Sequence, residues 1–396
     1  MGTWIYLDHA ATTPLDPRIA FAMQGYLGEG FGNPSSLHWA GKEAHEGLDQ
    51  ARAEVAALIN AEPSEIVFTG GGTEADNLAL RGVLEPAIFA GETVHLIVSA
   101  FEHPAVMETA RYLERRGVAV TYLPVTADGL VQAETLEAAL RPETRLVSIM
   151  GANNVVGTIQ PVGDLARVTR AHGALFHSDA VQAFGKVPLD MGRTPIDLLS
   201  MSAHTLHGPK GIGALYVRKG VRLEPVLFGG GQERGLRSGT ENVAAAVGFG
   251  RAAELAHREM GEEAARLVGL RERLVEGIGE AIDNVYFIGH PYFRLPGHLC
   301  VGFAGQEGEA VKLLLALDDQ GIAVSSGSAC SSNHAGEPSY ILTAMGYDQI
   351  RARGSLRISM GRFTTEEEVD ALLQALPRAV ASLRTIASHA SFAARD

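Results

Sequence analysis

The stretch EIVFTGGGTEADNLALRGVL, residues 65–84, decides the fold. It begins with a short apolar run that predicts a strand, turns at three consecutive glycines, and continues as a helix. The same alternation of strand and helix fills residues 41–220. Apolar runs of five to eight residues between helices are typical of strands that are buried on both faces. We therefore expect an α/β fold in which helices cover a mostly parallel central sheet.

A smaller unit is expected beyond this sheet. A long helical stretch near 243–283 links the two parts, and shorter strands and helices follow it. The C-terminal helix opens with a capping-box pattern, in which Thr364 or Thr365 is followed three residues later by a glutamate. The predicted boundaries are 15–255 for the large domain, and 1–14 with 256–396 for a small α+β domain that carries Cys330.

Composition excludes several classes of function. The chain has 396 residues and a formal net charge of −13, so neither a nucleic acid nor an anionic membrane is expected as a partner. No apolar window is long enough to cross a bilayer, and the chain is expected to be cytoplasmic. Two cysteines cannot form a disulfide framework or a cysteine-rich zinc site. Cys300, in HLCVGF, is predicted to be a small core residue.

Four polar motifs follow predicted strands and suggest a ligand site at one edge of the sheet. In GGGTEADN, 70–77, glycines and a helix N-terminus suit a phosphate, and Thr73 adds a hydroxyl donor. Asp179 ends a buried strand and needs a cationic partner, which a pyridinium nitrogen would supply. His103 follows another predicted strand, and the two asparagines at 153–154 follow a further strand and offer amide donors. Each motif taken alone also fits a structural role: a plain strand–helix turn, an ion pair or a packed histidine.

Two further residues suit a reaction on an amino acid. Cys330 lies in the serine-rich and glycine-rich segment SSGSACSSNHAGEPSY, 325–340, where an accessible thiolate can act as a nucleophile. Arg357 emerges from the predicted strand in SLRISMGR and could clamp a carboxylate. The alternative for Arg357 is a surface ion pair.

Taken together, these motifs resemble the NifS/IscS-type cysteine desulfurases, which belong to the class V aminotransferase group of fold-type I pyridoxal-phosphate (PLP) enzymes. The resemblance runs from YLDHAATT at 6–13 to GRFTTEEEVD at 361–370. Between these ends it includes GNPSSLHWAGKEA, FTGGGTEADN, EHPAV, SDAVQAFGK, SAHTLHGPKGIGALYV, GGGQERGLRSGTEN and SSGSACSS. So many matches in the same order are specific.

The resemblance implies a role for each matching residue. Asp179 would pair with the ring nitrogen of PLP, and His103 would stack on the ring. The other residues implied to hold PLP are Asn154 and Gln182 near its phenolate oxygen, Gly72, Thr73, Ser202 and His204 at its phosphate, and Thr240 reaching the phosphate of the neighbouring subunit of a homodimer.

The reaction implied by the resemblance releases alanine from L-cysteine. Arg357 and Asn33 would bind the substrate, and Cys330 would take its sulfur as a persulfide. An iron–sulfur scaffold or another sulfur acceptor protein would then receive that sulfur.

One position departs from the family in a way that bears on catalysis. In SAHTLHGPKG, 202–211, Thr205 stands where the family has the lysine that forms the Schiff base with PLP. Threonine has no amine and is a poor base, and general acid–base help is worth about 10²–10⁴ in rate. We therefore predict impaired or altered activity, with PLP bound non-covalently or as an external aldimine with a free amino acid. Lys210 and Lys186 are placed unfavourably in sequence to replace the missing lysine.

Two smaller departures favour natural divergence over an engineered change. Val155 replaces a usual glutamate, and the segment after Cys330 is one residue longer and contains His334. One alternative function is therefore a non-catalytic PLP-fold protein that binds a sulfur-transfer or iron–sulfur partner through Cys330 and His334. A metal site at HTLH, 204–207, is disfavoured because no carboxylate or cysteine lies close in sequence, and no metal is expected.

Overall fold

The computed structural model of the chain describes residues 4–327 and 338–393, with side chains as far as residue 384. Cys330 and His334 lie outside the described residues. The helices are α1 Pro17–Leu27, α2 Trp39–Leu58, α3 Gly72–Phe89, α4 Pro104–Glu114, α5 Ala133–Ala139, α6 Val162–His172, α7 Val243–Ala281, α8 Ala310–Asp318, α9 Tyr340–Ala344 and α10 Glu366–Ala393. The strands are β1 Ile5–Tyr6, β2 Ile66–Thr69, β3 His95–Ser99, β4 Ala119–Leu123, β5 Thr144–Ser148, β6 Leu175–Asp179, β7 Leu198–Ser202, β8 Gly213–Val217, β9 Val285–Ile288, β10 His298–Phe303, β11 Ile322–Ala323, β12 Ser325–Ser326 and β13 Ser355–Ser359.

Seven of these strands form the central sheet, in the order β2-β8-β7-β6-β5-β3-β4. The five strands from β7 to β4 run parallel, and β8 is antiparallel to both of its neighbours. Every residue of β2, β3 and β7 is buried, as expected for strands with helices on both faces. The predicted α/β class with a mostly parallel sheet is confirmed.

Glycine is required where β2 turns into α3. Gly71 has φ +152°, which side chains other than glycine rarely adopt. A Cβ on Gly72 would lie 2.5 Å from Cγ2 of Val181, a residue just after β6. These two glycines therefore let the N-terminus of α3 approach the carboxyl end of β6, where the candidate ligand site lies.

A four-stranded antiparallel sheet, β12-β13-β10-β9, forms a second layer, and β1 pairs with β11 in parallel. The segment IAVSS, predicted as one strand, is divided between β11 and β12. The division has a physical cause, because β11 pairs with β1 whereas β12 pairs with β13, so the two halves belong to different sheets.

Helix α7 passes from one hydrophobic core to the other. Phe249, in its first half, packs into the core of the large sheet, whereas Leu274 and Ile278 pack with Leu7 into the core of the smaller part. We propose the domain boundaries predicted from sequence. The pairing of β1 with β11 and the burial of Leu7 among C-terminal residues support placing 1–14 in the small domain.

The predicted capping box at the start of α10 is present at Thr365. The backbone N–H of Thr365 donates to Oε2 of Glu368 at 3.0 Å, and the N–H of Glu368 donates to Oγ1 of Thr365 at 3.3 Å. These two bonds satisfy donors that helix formation leaves unpaired. Within the described part of the chain, the model contains no helix with the length and apolarity needed to span a bilayer.

Replacing Phe249 tests the large core. Its ring is fully buried and meets Phe184 edge-on at a centroid distance of 5.8 Å. Phe249→Ala should lower the free energy of unfolding by about 3–5 kcal/mol, because the deletion leaves a cavity. Urea unfolding measures the loss, and Phe89→Ala, at a side chain that is 74% exposed, is the control. Equal losses in both variants would contradict this description of the core.

Candidate functional site

A cavity of about 830 Å³ opens at the carboxyl edge of the large sheet. The ends of β2, β6 and β7 and the loops after β3 and β5 converge there, because these strands share one direction. The residues that were predicted from sequence and that line this cavity are Gly72, Thr73, His103, Asn154, Asp179, Gln182, Ser202, His204 and Arg357.

One end of the cavity is suited to a phosphate. Gly72 and Thr73 form the first turn of the 18-residue helix α3, whose N–H groups and dipole attract an anion. Ser202 and His204 line the same cavity from the end of β7 and the loop that follows it. Burial is the largest cause that lowers the pKa of His204, to about 4, so its ring is neutral and can donate one hydrogen bond.

The other end holds a cluster of buried carboxyl groups. Asp179 ends β6, and ligand atoms of Asp76, His103 and Asp179 all lie within 4.8 Å of one another. Asp76 is 1% exposed, and its Oδ1 atom has no hydrogen-bond partner. Burial raises the pKa of both aspartates, and Asp179 raises that of Asp76 further. Among the described residues, neither carboxyl pairs with a lysine or an arginine.

His177 does not supply the missing charge. Its two ring nitrogens contact Oγ of Ser148 at 2.8 Å and Oγ of Ser200 at 2.9 Å, and its Nε2 lies 3.6 Å from Oδ1 of Asp76. Burial lowers the pKa of His177 to about 3, so the ring is neutral at physiological pH. The Asp76 and Asp179 pair therefore suits a cationic or proton-donating group of a ligand.

His103 and Gln182 are fixed by contacts with the backbone. Nδ1 of His103 accepts a hydrogen bond from the N–H of Ala105 at 3.1 Å, which caps α4 and leaves Nε2 as the ring donor. Nε2 of Gln182 donates to the carbonyl of Ala10 at 2.9 Å. Asn154, 5% exposed, lines the cavity on the loop after β5.

Arg357 is a buried residue of β13 and not part of a surface ion pair. It is 2% exposed, Nη2 contacts Oδ1 of Asp8 at 2.8 Å, and Nη1 donates to the carbonyl of Asn154 at 3.0 Å. Burial is the largest cause that raises the pKa of Asp8, and the neighbouring guanidinium opposes it. These contacts orient Arg357, which lines the same cavity as Asp179.

Thr205 does not line this cavity. Its hydroxyl donates to the carbonyl of Val181 at 2.8 Å, and the residue is 2% exposed. It lines a second cavity, of about 50 Å³, together with Lys186 and His207. The loop that carries Thr205 is anchored to Thr13, whose N–H and hydroxyl both donate to the carbonyl of His204.

Several predicted site residues are not in the cavity. Asn33 and Thr240 are exposed and are not among its lining residues. Among the described residues, the one group of three possible metal ligands is Asp76, His103 and Asp179, and it does not include the histidines of the HTLH segment. Cys300 lies in β10 and is fully buried, as predicted.

Asp8, Asp76 and Glu102 were not among the residues predicted from the motifs. Each lies inside a quoted motif: Asp8 in YLDHAATT, Asp76 in GGGTEADN and Glu102 in EHPAV. The helical spacing of Asp76 from Gly72, four positions, could have indicated that both face the same side of α3.

The donor set fits PLP. The N–H groups at the start of α3 suit a phosphate, the buried Asp76 and Asp179 carboxyls suit a protonated ring nitrogen, and the imidazole of His103 lies beside these carboxyls. Fold and cavity together therefore define the class of fold-type I PLP enzymes.

Comparison with known proteins agrees with this class. The aminotransferase class-V family model matches residues 5–372. The chain is 49% identical to the cysteine desulfurase IscS of Anaeromyxobacter sp. over 383 residues, which are 96% of this chain and 93% of that protein. A solved NifS-like protein superimposes with a TM-score of 0.89 at 41% identity, covering 96% of this chain and all of that one. A structure of SspA in complex with cysteine gives 0.79 at 36% identity, with coverage of 92% and 100%.

The chain belongs to the aminotransferase class-V family, among its NifS/IscS cysteine desulfurases. Enzymes of this family depend on PLP. The resemblance noted in the sequence motifs is thereby confirmed, whereas the consequence of Thr205 stays a prediction.

Glu102 should make stability depend on pH. It is fully buried, accepts hydrogen bonds from Ser99 and from the N–H of Met150, and burial raises its pKa to about 8. The unfolded chain releases this proton near the ordinary value of 4.5, and the folded chain only near 8. The contribution of Glu102 to the free energy of unfolding is fully present below the ordinary pKa of 4.5, and it is lost as the pH rises through about 8.

Urea midpoints measured across this pH range test the effect. Glu102→Gln, which cannot ionise, should flatten the decline between about pH 5 and pH 8. Glu114→Gln, at an exposed position, is the control. A decline equally steep in the Glu102 variant and the parent would show that Glu102 is not the group responsible.

Proposed function

We propose that this chain is a PLP-dependent cysteine desulfurase, which removes sulfur from L-cysteine and releases L-alanine. The observation that carries the proposal is the presence, in one cavity, of a buried carboxyl pair and a buried arginine. Asp179 suits the ring nitrogen of a cofactor, and Arg357 suits the carboxylate of an amino acid. PLP, when bound, supplies an electron sink for the reaction.

Each proposed site residue would have a separate role in binding the cofactor or the substrate. Asp179 would keep the ring nitrogen protonated, Gly72 and Thr73 would hold the phosphate, and His103 would stack against the ring. Arg357, oriented by Asp8, would bind the substrate carboxylate. We keep Cys330 as the proposed nucleophile that takes the sulfur and presents it to an iron–sulfur scaffold or another acceptor protein.

Proton transfer at the substrate's Cα is the weak step. The hydroxyl of Thr205 donates to the carbonyl of Val181, and no activating base contacts it among the described residues. A threonine in this bond cannot replace the amine of a lysine. We therefore propose that catalysis is slower than in relatives that retain the lysine.

The activity test measures alanine and sulfide released from L-cysteine with PLP present. Thr205→Lys should raise the rate by about 10²–10⁴, because it restores a mobile amine as acid and base. Thr93→Lys, at an exposed threonine, should change nothing. Cys330→Ser should abolish sulfide transfer in either background. A Thr205→Lys protein that binds PLP without any gain in rate would contradict the proposal and favour a non-catalytic sulfur-transfer role.

We also propose that two copies of the chain form a homodimer. Large apolar side chains are exposed along the segment 21–39 and near Thr240; they are Phe21 at 77%, Leu27 at 71%, Phe31 at 73%, Leu37 at 90%, Trp39 at 70% and Phe228 at 78%. Such exposure in one segment is typical of a protein interface. Thr240 is exposed and does not line the cavity of its own chain. In the dimer it would reach the phosphate site of the second copy.

Light scattering tests the dimer. The parent should have about twice the chain mass of 41.9 kDa. The double variant Phe31→Glu and Trp39→Glu should dissociate, because unpaired charges would be buried at the interface. The pair Phe89→Glu and Tyr292→Glu, also exposed, serves as the control. A monomeric parent would contradict the proposal.

A further inference from the structure

Position 205 carries no lysine, but the amine of Lys186 lines the same small cavity as Thr205. The lysines of this chain are Lys42, Lys186, Lys210, Lys219 and Lys312. All of them lie in the described part of the chain, and all except Lys186 are exposed. We infer that Lys186 is the amine of this site, which bonds to the cofactor's aldehyde in place of the missing lysine. This inference rests on the proposed function and names a further catalytic residue for it.

The position of Lys186 supports this role. Its Nζ donates to Oε1 of Gln182 at 3.2 Å, and Gln182 lines the main cavity beside Asn154 and Asp179. A single side chain therefore separates the amine from the proposed ring site. Lysine rotamers are numerous, and Nζ is the end of a flexible four-carbon stem, so a change of rotamer can move it past Gln182.

Thr205 leaves room for this movement. Lys186 and Thr205 line the same small cavity, and the hydroxyl of Thr205 is bonded to the carbonyl of Val181. A lysine at position 205 would start from this cavity and place a second amine beside the first. The shorter threonine side chain leaves this part of the cavity to Lys186.

The surroundings lower the pKa of the Lys186 amine, which increases the fraction of the amine without a proton. No carboxylate within ion-pair distance of Lys186 is found among the described residues, and burial lowers its pKa to about 8, with Glu263 opposing that effect. The histidines His9, His204 and His207 are kept neutral, mainly by burial. A neutral amine carries the lone pair needed to attack a carbonyl carbon.

The step is balanced without an oxidant or reductant. The Nζ lone pair of Lys186 attacks the aldehyde carbon of the cofactor, and a carbon–nitrogen bond forms. The aldehyde oxygen leaves as water with the two hydrogens of the amine, so the carbon–oxygen double bond becomes a carbon–nitrogen double bond. Water added back reverses the step.

Reductive trapping followed by peptide mapping tests the assignment. The full chain is mixed with one equivalent of PLP, reduced with cyanoborohydride and digested, and the modified lysine is located by mass spectrometry. The label should map to Lys186 in most of the trapped protein. Lys186→Met should reduce labelling at least tenfold, whereas Lys210→Met, in the loop that carries Thr205, should leave it unchanged.

Controls separate this inference from the proposed function. Lys186→Arg keeps a positive charge but cannot be trapped. If this variant loses the label and its circular dichroism spectrum is unchanged, the loss reflects the missing amine and not lost folding. Equilibrium dialysis measures PLP binding before reduction. A label on other lysines, or an undiminished label in Lys186→Met, overturns the inference even if PLP binds. Failure of the parent chain to bind PLP at all overturns both the inference and the proposed function.

Discussion

The candidate site depends on one electrostatic constraint: Asp76 and Asp179 are buried side by side, and neither forms an ion pair with a lysine or an arginine among the described residues. A charged carboxylate removed from water is costly, and two adjacent ones cannot both ionise. Burial consequently raises the pKa of each, and the nearest histidine, His177, is itself neutral. A protonated ring nitrogen would relieve this strain, which explains why the cavity suits PLP.

The fold creates this constraint through the direction of its strands. Asp179 ends β6 and Ser202 ends β7, and parallel pairing brings both to one edge of the sheet. The glycines before α3 allow Asp76 to approach the same edge from the helix. The small domain adds Arg357 from β13, so that groups for a ring, a phosphate and a carboxylate lie around one cavity.

Most of this arrangement could be predicted from the sequence, because strand ends and glycine turns have local signals. Asp179, His103 and the glycine turn at 70–72 were noted from such signals. The division of IAVSS was not predicted, because it depends on pairing with distant strands. The direction in which a side chain points could not be predicted from the sequence either. Whether Thr205 faces the main cavity, and whether Lys186 approaches it, depends on packing between segments that are far apart in sequence.

Asn33 and Thr240 illustrate a different limit. Both are exposed in the single chain and neither lines the cavity. The role predicted for Thr240 involves a second copy, which one chain's sequence does not contain. The resemblance to cysteine desulfurases implied both roles, and the exposed apolar side chains of the segment 21–39 support the proposed dimer that the role of Thr240 requires.

Equilibrium dialysis of PLP against the purified chain and its Asp179→Asn variant tests the central claim most directly. Asparagine keeps the shape of the side chain and removes the charge that would hold a protonated ring nitrogen. The account predicts about one PLP bound per parent chain and an affinity at least about tenfold lower in the variant, since a hydrogen bond to a charged group is worth roughly 1.5–3 kcal/mol. Equal affinities would contradict it.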